Sequence, residues 1–528
     1  MSETELKLVA IAGAAPALGS FAALAPACAS ARRTRLQSWH FDTPERALQK
    51  AGFVLRIRRA GDAMLQTVKT GGASAFERGE WEEPIAAPAP APGVAASPDM
   101  LDFEAIARTP LGALIDGVRA DLVEAFRVDV ERETFVLETE DGEIEAACDN
   151  GEIVAERRGL RQGVAEIELE LKRGDARLLF PLARELAAAA PLSLSLVSKA
   201  ERGFRLARGI AGKAVKASPP RLAQEMTAAD AFAAICEACL HDFMLNADAL
   251  RARSDETPRG VHQGRIALRR LRAAFALFRP IVKGGAGDDL RAEVKRLASL
   301  FGRARDRDVM LEAALEAGDG DAGADGRAFA DWLARESAAL HGRIVEAIDS
   351  QRWRLFVIDF FRWLDHGGWR RRAAKRPLGM AEFARERLGK RRRRLLEDGR
   401  GGLGGLDAEQ RHQVRIDAKT LRYMGEFFAA TPAVADPQAM RKFLNGLEDI
   451  QTSLGLMHDE EARLEARASD LGRWRAEAGE VAPQAIAVAE RFYAPREDVE
   501  RRLGEAIAAF DKLSRADPFR LSPRREML

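Results

Sequence analysis

Two short runs of carboxylates in this 528-residue sequence have the spacing that phosphate chemistry needs. Glu3-Thr4-Glu5-Leu6-Lys7 sets two acids and an ammonium at alternate positions, and Glu166-Ile167-Glu168-Leu169-Glu170 sets three acids the same way. Alternate side chains of a strand share a face, so each run crowds like charges unless a cation sits among them. Hard carboxylate oxygens suit Mg2+, or Mn2+. Basic residues of matching parity occur at Arg56 and Arg58, at Lys69, at Arg78 beside Glu80, and at Arg132. Carboxylates holding a divalent ion on one wall, with cations on the other, can orient a phosphate chain and stabilise the charge that develops as a phosphoryl group is transferred or hydrolysed.

A second cationic pattern is duplicated. The stretch from His262 to Arg272 reappears from His412 to Arg422 with the skeleton His-x2-Arg-x3-basic-x-Leu-Arg. Downstream, Gly302, Arg305 and Asp306 fall opposite Gly455, His458 and Asp459. Steps of three and four residues return to one helix face, which aligns His262, Arg265, Arg269 and Arg272, and likewise His412, Arg415, Lys419 and Arg422. A merely solvated stripe would carry acids among its turns, and only Asp417 is present. Two such stripes brought together would line a cleft for a flexible polyanion gripped through its phosphates. Single-stranded nucleic acid would call for aromatic platforms, and these stripes have only Tyr423.

The elements that position these residues differ between the two halves. Up to residue 208 the polar–apolar alternation has period two, which predicts strands. Asp141-Gly142 and Asn150-Gly151 read as turns and predict three hairpin strands over 129–139, 143–148 and 152–156. If that antiparallel sheet closes, its charged face lines a polar tunnel. The Ala- and Pro-rich stretch 86–98 reads as a loop, and residues 209–224 as a linker. From about Met226 the apolar spacing is helical. The expected fold is therefore α+β followed by all-α: an antiparallel β-barrel tunnel over 1–208, then a helical domain over 225–515 built from two similar bundle units, about 225–400 and 401–515.

Composition sets the outer bounds. With 47% hydrophobic residues the chain supports more than one core. No apolar run approaches a membrane span, and the acidic start lacks the basic region of a signal peptide. Four cysteines cannot form a disulfide framework in a chain this long. A cytoplasmic protein is the expectation. The net charge of +1 conceals a division. Residues 1–208 hold 26 basic against 32 acidic residues, and the remainder (82 − 26 against 81 − 32) holds 56 against 49. Cys236-x2-Cys239 near His241 lacks a second cysteine pair and reads as buried thiols rather than a zinc site.

Taken in order, these motifs resemble a known family. Glu3 to Lys7, His40-Phe41-Asp42-Thr43-Pro44, Leu55 to Arg58, Thr67 to Lys69, Arg78-Gly79-Glu80, Asp149, Glu166 to Glu170 and Ser198 to Gly203 resemble the CYTH superfamily, the triphosphate tunnel metalloenzymes. The helical half resembles the CHAD domain, a polyphosphate-binding module of two similar units. The pairing resembles bacterial inorganic triphosphatases. The resemblance implies a metal shell of Glu3, Glu5, Glu168 and Glu170 with Glu166, binding Mg2+ or Mn2+. It implies a catalytic triphosphate clamp of Lys7, Arg56, Arg58, Lys69, Arg78, Arg132 and Lys199, with Glu80 and Arg202 assisting. Inorganic triphosphate and polyphosphate are the implied partners, the latter held by both stripes with Arg305 and His458, and association with polyphosphate granules goes with that. Rival readings are an organic triphosphate, either thiamine triphosphate or ATP with hydrolase or cyclase chemistry, and a non-catalytic granule-binding protein.

Overall fold

The first strand closes the barrel. In the computed structural model, β1 (Ser2–Ala10) pairs through residues 2–4 with β5 (Glu77–Pro84) and through residues 5–9 with β8 (Leu160–Arg173). Between them the ring runs through β4 (Ala63–Gly71), β3 (Phe53–Ala60), β2 (Arg32–Asp42), β6 (Val123–Thr139) and β7 (Gly142–Ala155), all antiparallel. A short β9 (Leu192–Leu194) adds to the far end of β1. Closure leaves the eight-stranded ring without a free edge. The structure describes residues 2–71, 75–91, 94–318, 323–431, 434–478, 486–487, 489–490, 493 and 498–519.

The alternation seen in the sequence sorts side chains across the barrel wall. Trp39, Phe41, Leu55, Ile57, Met64 and Val68 face outward into a core covered by the segment from Ala96 to Leu122. Their alternates, Ser38, His40, Arg56, Arg58 and Lys69, line an internal cavity. Phe204 and Leu206, on the helix Lys199–Ala207, pack with Leu36, Phe126, Val128 and Val164.

One expected turn is a strand interior. Residues 143–148 and 152–156 do not form a hairpin, because β7 runs through Asn150-Gly151, which pairs with Glu131 and Val130 on one side and Ala165 and Val164 on the other. The Asn150 side chain is engaged elsewhere: Ala15 N donates to its Oδ1 at 2.8 Å. Gly151 permits the close strand approach, since a Cβ there would collide with the Asp129 carbonyl. The turn instead falls at Glu156–Arg158, closed by Gly159 at φ 63°. The Ala-rich stretch after β1 forms 3-10 turns, Leu18–Ser20 and Ala22–Ser30, with Pro26 inside the second.

By internal contacts the chain divides into two units. The barrel unit takes Met1–Lys213 and also Glu346–His366. The helix Gln351–His366 lies within the expected 225–515 span but packs on the barrel unit, with Phe361 edge-on to Phe76 at 5.1 Å and Gln351 Nε2 donating to Ala188 O at 2.9 Å. The other unit, Ala214–Val345 with Gly367–Leu528, is helical. Its helices include Ala228–Arg251, Thr257–Leu277, Ala286–Gly318, Gly323–Asp349, Met380–Asp398, Ala408–Glu426 and Pro437–Ala478. Cys236 and Cys239 are buried thiols on the first of these, and burial pushes Cys239 up to about 12. Among the described residues no helix is long and apolar enough to cross a membrane.

Candidate functional site

The barrel encloses a cavity of ≈ 820 Å³ lined by ionised groups of both signs. Its acids come from β1 (Glu3, Glu5), β5 (Glu80, Glu82), β7 (Glu145, Asp149), β8 (Glu168, Glu170) and the helix Lys199–Ala207 (Glu201). Its cations come from β1 (Lys7), β3 (Arg56, Arg58), β4 (Lys69), β5 (Arg78), β6 (Arg132), β8 (Lys172) and the first residue of the helix Lys199–Ala207. All seven cations expected to form the clamp therefore face one space, and Glu80 joins them. Buried charges survive only when paired and hydrogen-bonded, and the pairing here is specific.

The densest knot surrounds Lys199. Its ammonium lies 2.7 Å from Asp149 Oδ2, 2.6 Å from Glu166 Oε1 and 2.8 Å from Glu168 Oε1. Arg132 completes it, donating to both Asp149 oxygens at 2.7 Å and to Glu168 Oε2 at 2.6 Å. Burial would raise the Glu168 carboxyl, but Lys199, Lys7 and Arg132 hold it well below the usual carboxylate range. Glu166 is fully buried and also accepts from Arg202. Glu166, expected as a metal ligand, is not among the residues that line the cavity, and its two oxygens accept from Lys199 and Arg202. The oxygens of Asp149, Glu166 and Glu168 lie within 4.8 Å of one another, a spacing suited to an ion; the Lys199 ammonium occupies that position.

Towards β1 four acids, Glu3, Glu5, Glu145 and Glu170, meet four cations, Lys7, Lys69, Arg78 and Lys172. Glu5 stands directly opposite Glu170 in the β1–β8 ladder, and Glu145 stands opposite Glu170 in the β7–β8 ladder. Lys69 reaches Glu3 at 2.7 Å and Glu80 at 3.1 Å, and Lys7 reaches Glu5 at 3.2 Å. Burial raises the Glu170 carboxyl, and Glu3 and Glu145 add to the rise despite Lys172. Burial would depress the Lys7 ammonium, but Glu5, Glu168 and Glu166 keep it raised. Glu3, Glu5 and Glu170 offer only oxygen donors to the cavity, a donor type that suits a hard divalent cation.

Three guanidinium groups, Arg56, Arg58 and Arg132, line the cavity from β3 and β6. Burial first, then Arg56 and Arg132, lower the Arg58 guanidinium to about 9 against the opposing pull of Glu82 and Glu168. Its Nε donates to Ser38 Oγ at 3.3 Å. Arg56 has Glu80 at 3.5 Å. Beside them His40 stacks on Phe126 at 4.3 Å with its Nδ1 buried and unpartnered. Burial first, then Arg56 and Arg58, keep that imidazole well below its usual value. A desolvated guanidinium that Glu82 and Glu168 offset only in part suits phosphate oxygens.

Sequence reasoning assigned no role to Glu145, Asp149, His40 or Lys172, all of which line the cavity. Asp149 and His40 stood within motifs already singled out. Glu145 shares the parity of Asp149 along β7, a signal hidden by the misread turn at Asn150.

In the helical unit a second cavity of ≈ 800 Å³ joins the two stripes: His262, Arg265 and Arg305 meet Arg415 and Lys419. The duplicated glycines sit in equivalent places, as a Cβ on Gly302 would lie 3.9 Å from Arg265 Nε and one on Gly455 3.5 Å from Arg415 Nε. Five other expected residues do not line this cavity. His412 and His458 pack ring to ring at 4.1 Å. Arg422 is held by Glu426 at 2.6 Å and Gln451 at 3.1 Å. Arg269 and Arg272 continue their helix beyond the cavity, the second of them exposed. The side chain of Asp459 lies outside the described residues.

Comparison with known proteins bears on both halves. The CYTH domain family model matches residues 1–204, and the CHAD domain model matches residues 234–468. An inorganic triphosphatase of Haemophilus influenzae is 29% identical over 181 residues, which is 32% of this chain and 46% of that protein, so the match spans less than half of the relative. Among solved structures, the CHAD domain of the plant Ricinus communis is 24% identical with a TM-score of 0.48, over 58% of this chain and 99% of that one. A Hippeastrum protein named as an adenylyl cyclase and described as having a dominant triphosphatase activity is 20% identical with a TM-score of 0.26, over 38% and 95%.

Proposed function

In a chain that carries a CYTH domain at its N-terminus and a CHAD domain at its C-terminus, we propose a divalent-metal-dependent hydrolase that cleaves inorganic triphosphate to diphosphate and phosphate inside the barrel. The observation that carries this reading is a single barrel cavity in which Glu3 and Glu5 of β1 and Glu168 and Glu170 of β8 share one space with all seven cations of the expected clamp. The H. influenzae relative, an inorganic triphosphatase, supports the same chemistry.

The two sets of charges have separate tasks. Arg56, Arg58 and Arg132 would hold the oxygens of one end of the phosphate chain, with Lys69 and Arg78 along its length. Glu3, Glu5 and Glu170 would hold Mg2+ or Mn2+. That ion, when bound, supplies charge neutralisation and an acidified water. Glu166 and Asp149 keep Lys199 and Arg132 fixed, so the cationic wall does not reorganise as charge develops. Water adds to the terminal phosphorus, the anhydride bond breaks, diphosphate leaves with the bonding pair, and the proton that the water gives up passes to the leaving diphosphate or to solvent.

The helical cavity serves as a grip for inorganic polyphosphate, with Arg265, Arg305, Arg415, Lys419 and His262 as its contacts. Such a grip would bring the chain to polyphosphate granules in the cytoplasm, where its four free cysteines remain reduced. Comparing product formation from tripolyphosphate, thiamine triphosphate and ATP tests the substrate. Faster turnover of either organic triphosphate would displace the inorganic reading.

A further inference from the structure

Lys172 has no part in the expected clamp, yet it continues the run Glu166, Glu168, Glu170 on the cavity face of β8. Its Nζ lies 2.7 Å from Glu170 Oε1 and 3.5 Å from Glu145 Oε1. Glu170 is the acid flanked by Glu5 on β1 and Glu145 on β7. The ammonium thus sits between carboxylates from two strands, one of which, Glu170, belongs to the set proposed above to hold the divalent ion.

The other cations that touch this set are fixed. Side-chain exposure is 5% for Lys7, 15% for Lys69 and 25% for Arg78, against 35% for Lys172. Lys172 is also a point charge on a flexible four-carbon stem. It can swing away into water and remain charged there. The more enclosed ammoniums cannot leave without stranding a charge in the barrel wall.

We infer that Lys172 is a built-in competitor for the metal. Its ammonium neutralises Glu170 and Glu145 in the metal-free chain and is displaced when the divalent cation binds, and Glu145 then joins Glu170 in balancing the ion's charge. This rests on the metal reading given above. It assigns Glu145 and Lys172 to the metal site and makes metal affinity a contest between a mobile ammonium and a divalent ion for the same oxygens.

The test is Mn2+ titrated into the full chain without any phosphate, followed by calorimetry and by the Mn2+ spin-resonance signal. Lys172→Met keeps the stem and removes the charge. It should bind Mn2+ about tenfold more tightly, since a unit charge a few ångströms from a divalent ion costs about that much even in a water-like surrounding. Lys172→Arg keeps the charge and should bind no more tightly than the unaltered chain, and Glu145→Gln should bind more weakly. Mn2+ binding by Lys172→Met no tighter than by the unaltered chain would overturn the inference, as would unchanged binding by Glu145→Gln. Glu5→Gln separates the two levels of the argument. If it binds Mn2+ as the unaltered chain does, the metal reading itself fails; if it loses Mn2+ while Lys172→Met is unchanged, only the role of Lys172 fails.

Discussion

Glu5 and Glu170 face each other directly across the β1–β8 ladder, the closest like-charge juxtaposition that strand pairing can impose. Lys7 and Arg78 lie 3.2 and 3.5 Å from Glu5, and Lys172 lies 2.7 Å from Glu170, yet the Glu170 carboxyl stays raised. Glu5→Gln preserves shape and removes one charge. Turnover should drop by about a thousandfold, given that metal ions contribute several kcal/mol to charged transition states. The thermal unfolding midpoint should fall, because buried Lys7 loses the carboxylate 3.2 Å away even as a like-charge pair is relieved. A midpoint that holds or rises would show that the Glu5–Glu170 repulsion outweighs the pairing with Lys7.

The Lys199 knot predicts the opposite balance. Lys199→Met leaves Asp149, Glu166 and Glu168 buried around an apolar side chain. Removing one partner of a buried ion pair costs about 3–5 kcal/mol, read from the denaturant midpoint. Glu168 and Asp149 are held below their usual values in the native chain, so their stabilisation is present at neutral pH and lost as pH falls through those depressed values. The variant has lost that pairing already, so its deficit should be largest near neutral pH and shrink on acidification. A deficit independent of pH would contradict the pairing.

His40 carries a second pH signature. Its imidazole is kept neutral by burial and by Arg56 and Arg58. The unfolded chain takes up this proton near pH 6.5 and the folded chain only well below, so stability is lost as pH falls below about 6.5. His40→Gln cannot titrate. Its unfolding midpoint should fall less than that of the unaltered chain between about pH 7.5 and 5.5. Parallel pH curves would show that His40 is protonated in the fold.

The two stripes should not contribute evenly to polyphosphate binding. Arg265 and Arg415 line the helical cavity, whereas Arg422 is tied to Glu426 and Gln451. In the full chain with Glu5→Gln to stop turnover, Arg265→Met or Arg415→Met should weaken polyphosphate binding about tenfold, the worth of one hydrogen bond to a charged group. Arg422→Met should change it little, and added salt should weaken binding in all of them. Equal losses at all three positions would point to a diffuse surface.

How much of this was legible beforehand depended on how local each signal was. Parity alone aligned Glu3 with Glu5 and Arg56 with Arg58, because a strand's faces are a property of its own few residues. The duplicated stripes were legible for the same reason, and the cavity joins His262 and Arg265 to Arg415 and Lys419. Relations set by packing were not. Asn150-Gly151 has the composition of a turn, but Asn150 bonds Ala15, 135 residues away in sequence. Glu166 shares the parity of Glu168, yet Lys199 and Arg202 claim it from a helix that the strand pattern cannot reveal. Arg422 reads as a free cation until Glu426 and Gln451 are brought beside it.

The central claim is tested most directly by following phosphate and diphosphate released from tripolyphosphate by the full chain, first stripped of metal with a chelator and then restored with Mg2+ or Mn2+. No release is expected from the stripped protein, equal amounts of the two products once metal is restored, and about a thousandfold slower release from Glu5→Gln with metal present. Release that continues after chelation, or that proceeds at the unaltered rate in Glu5→Gln, would contradict it.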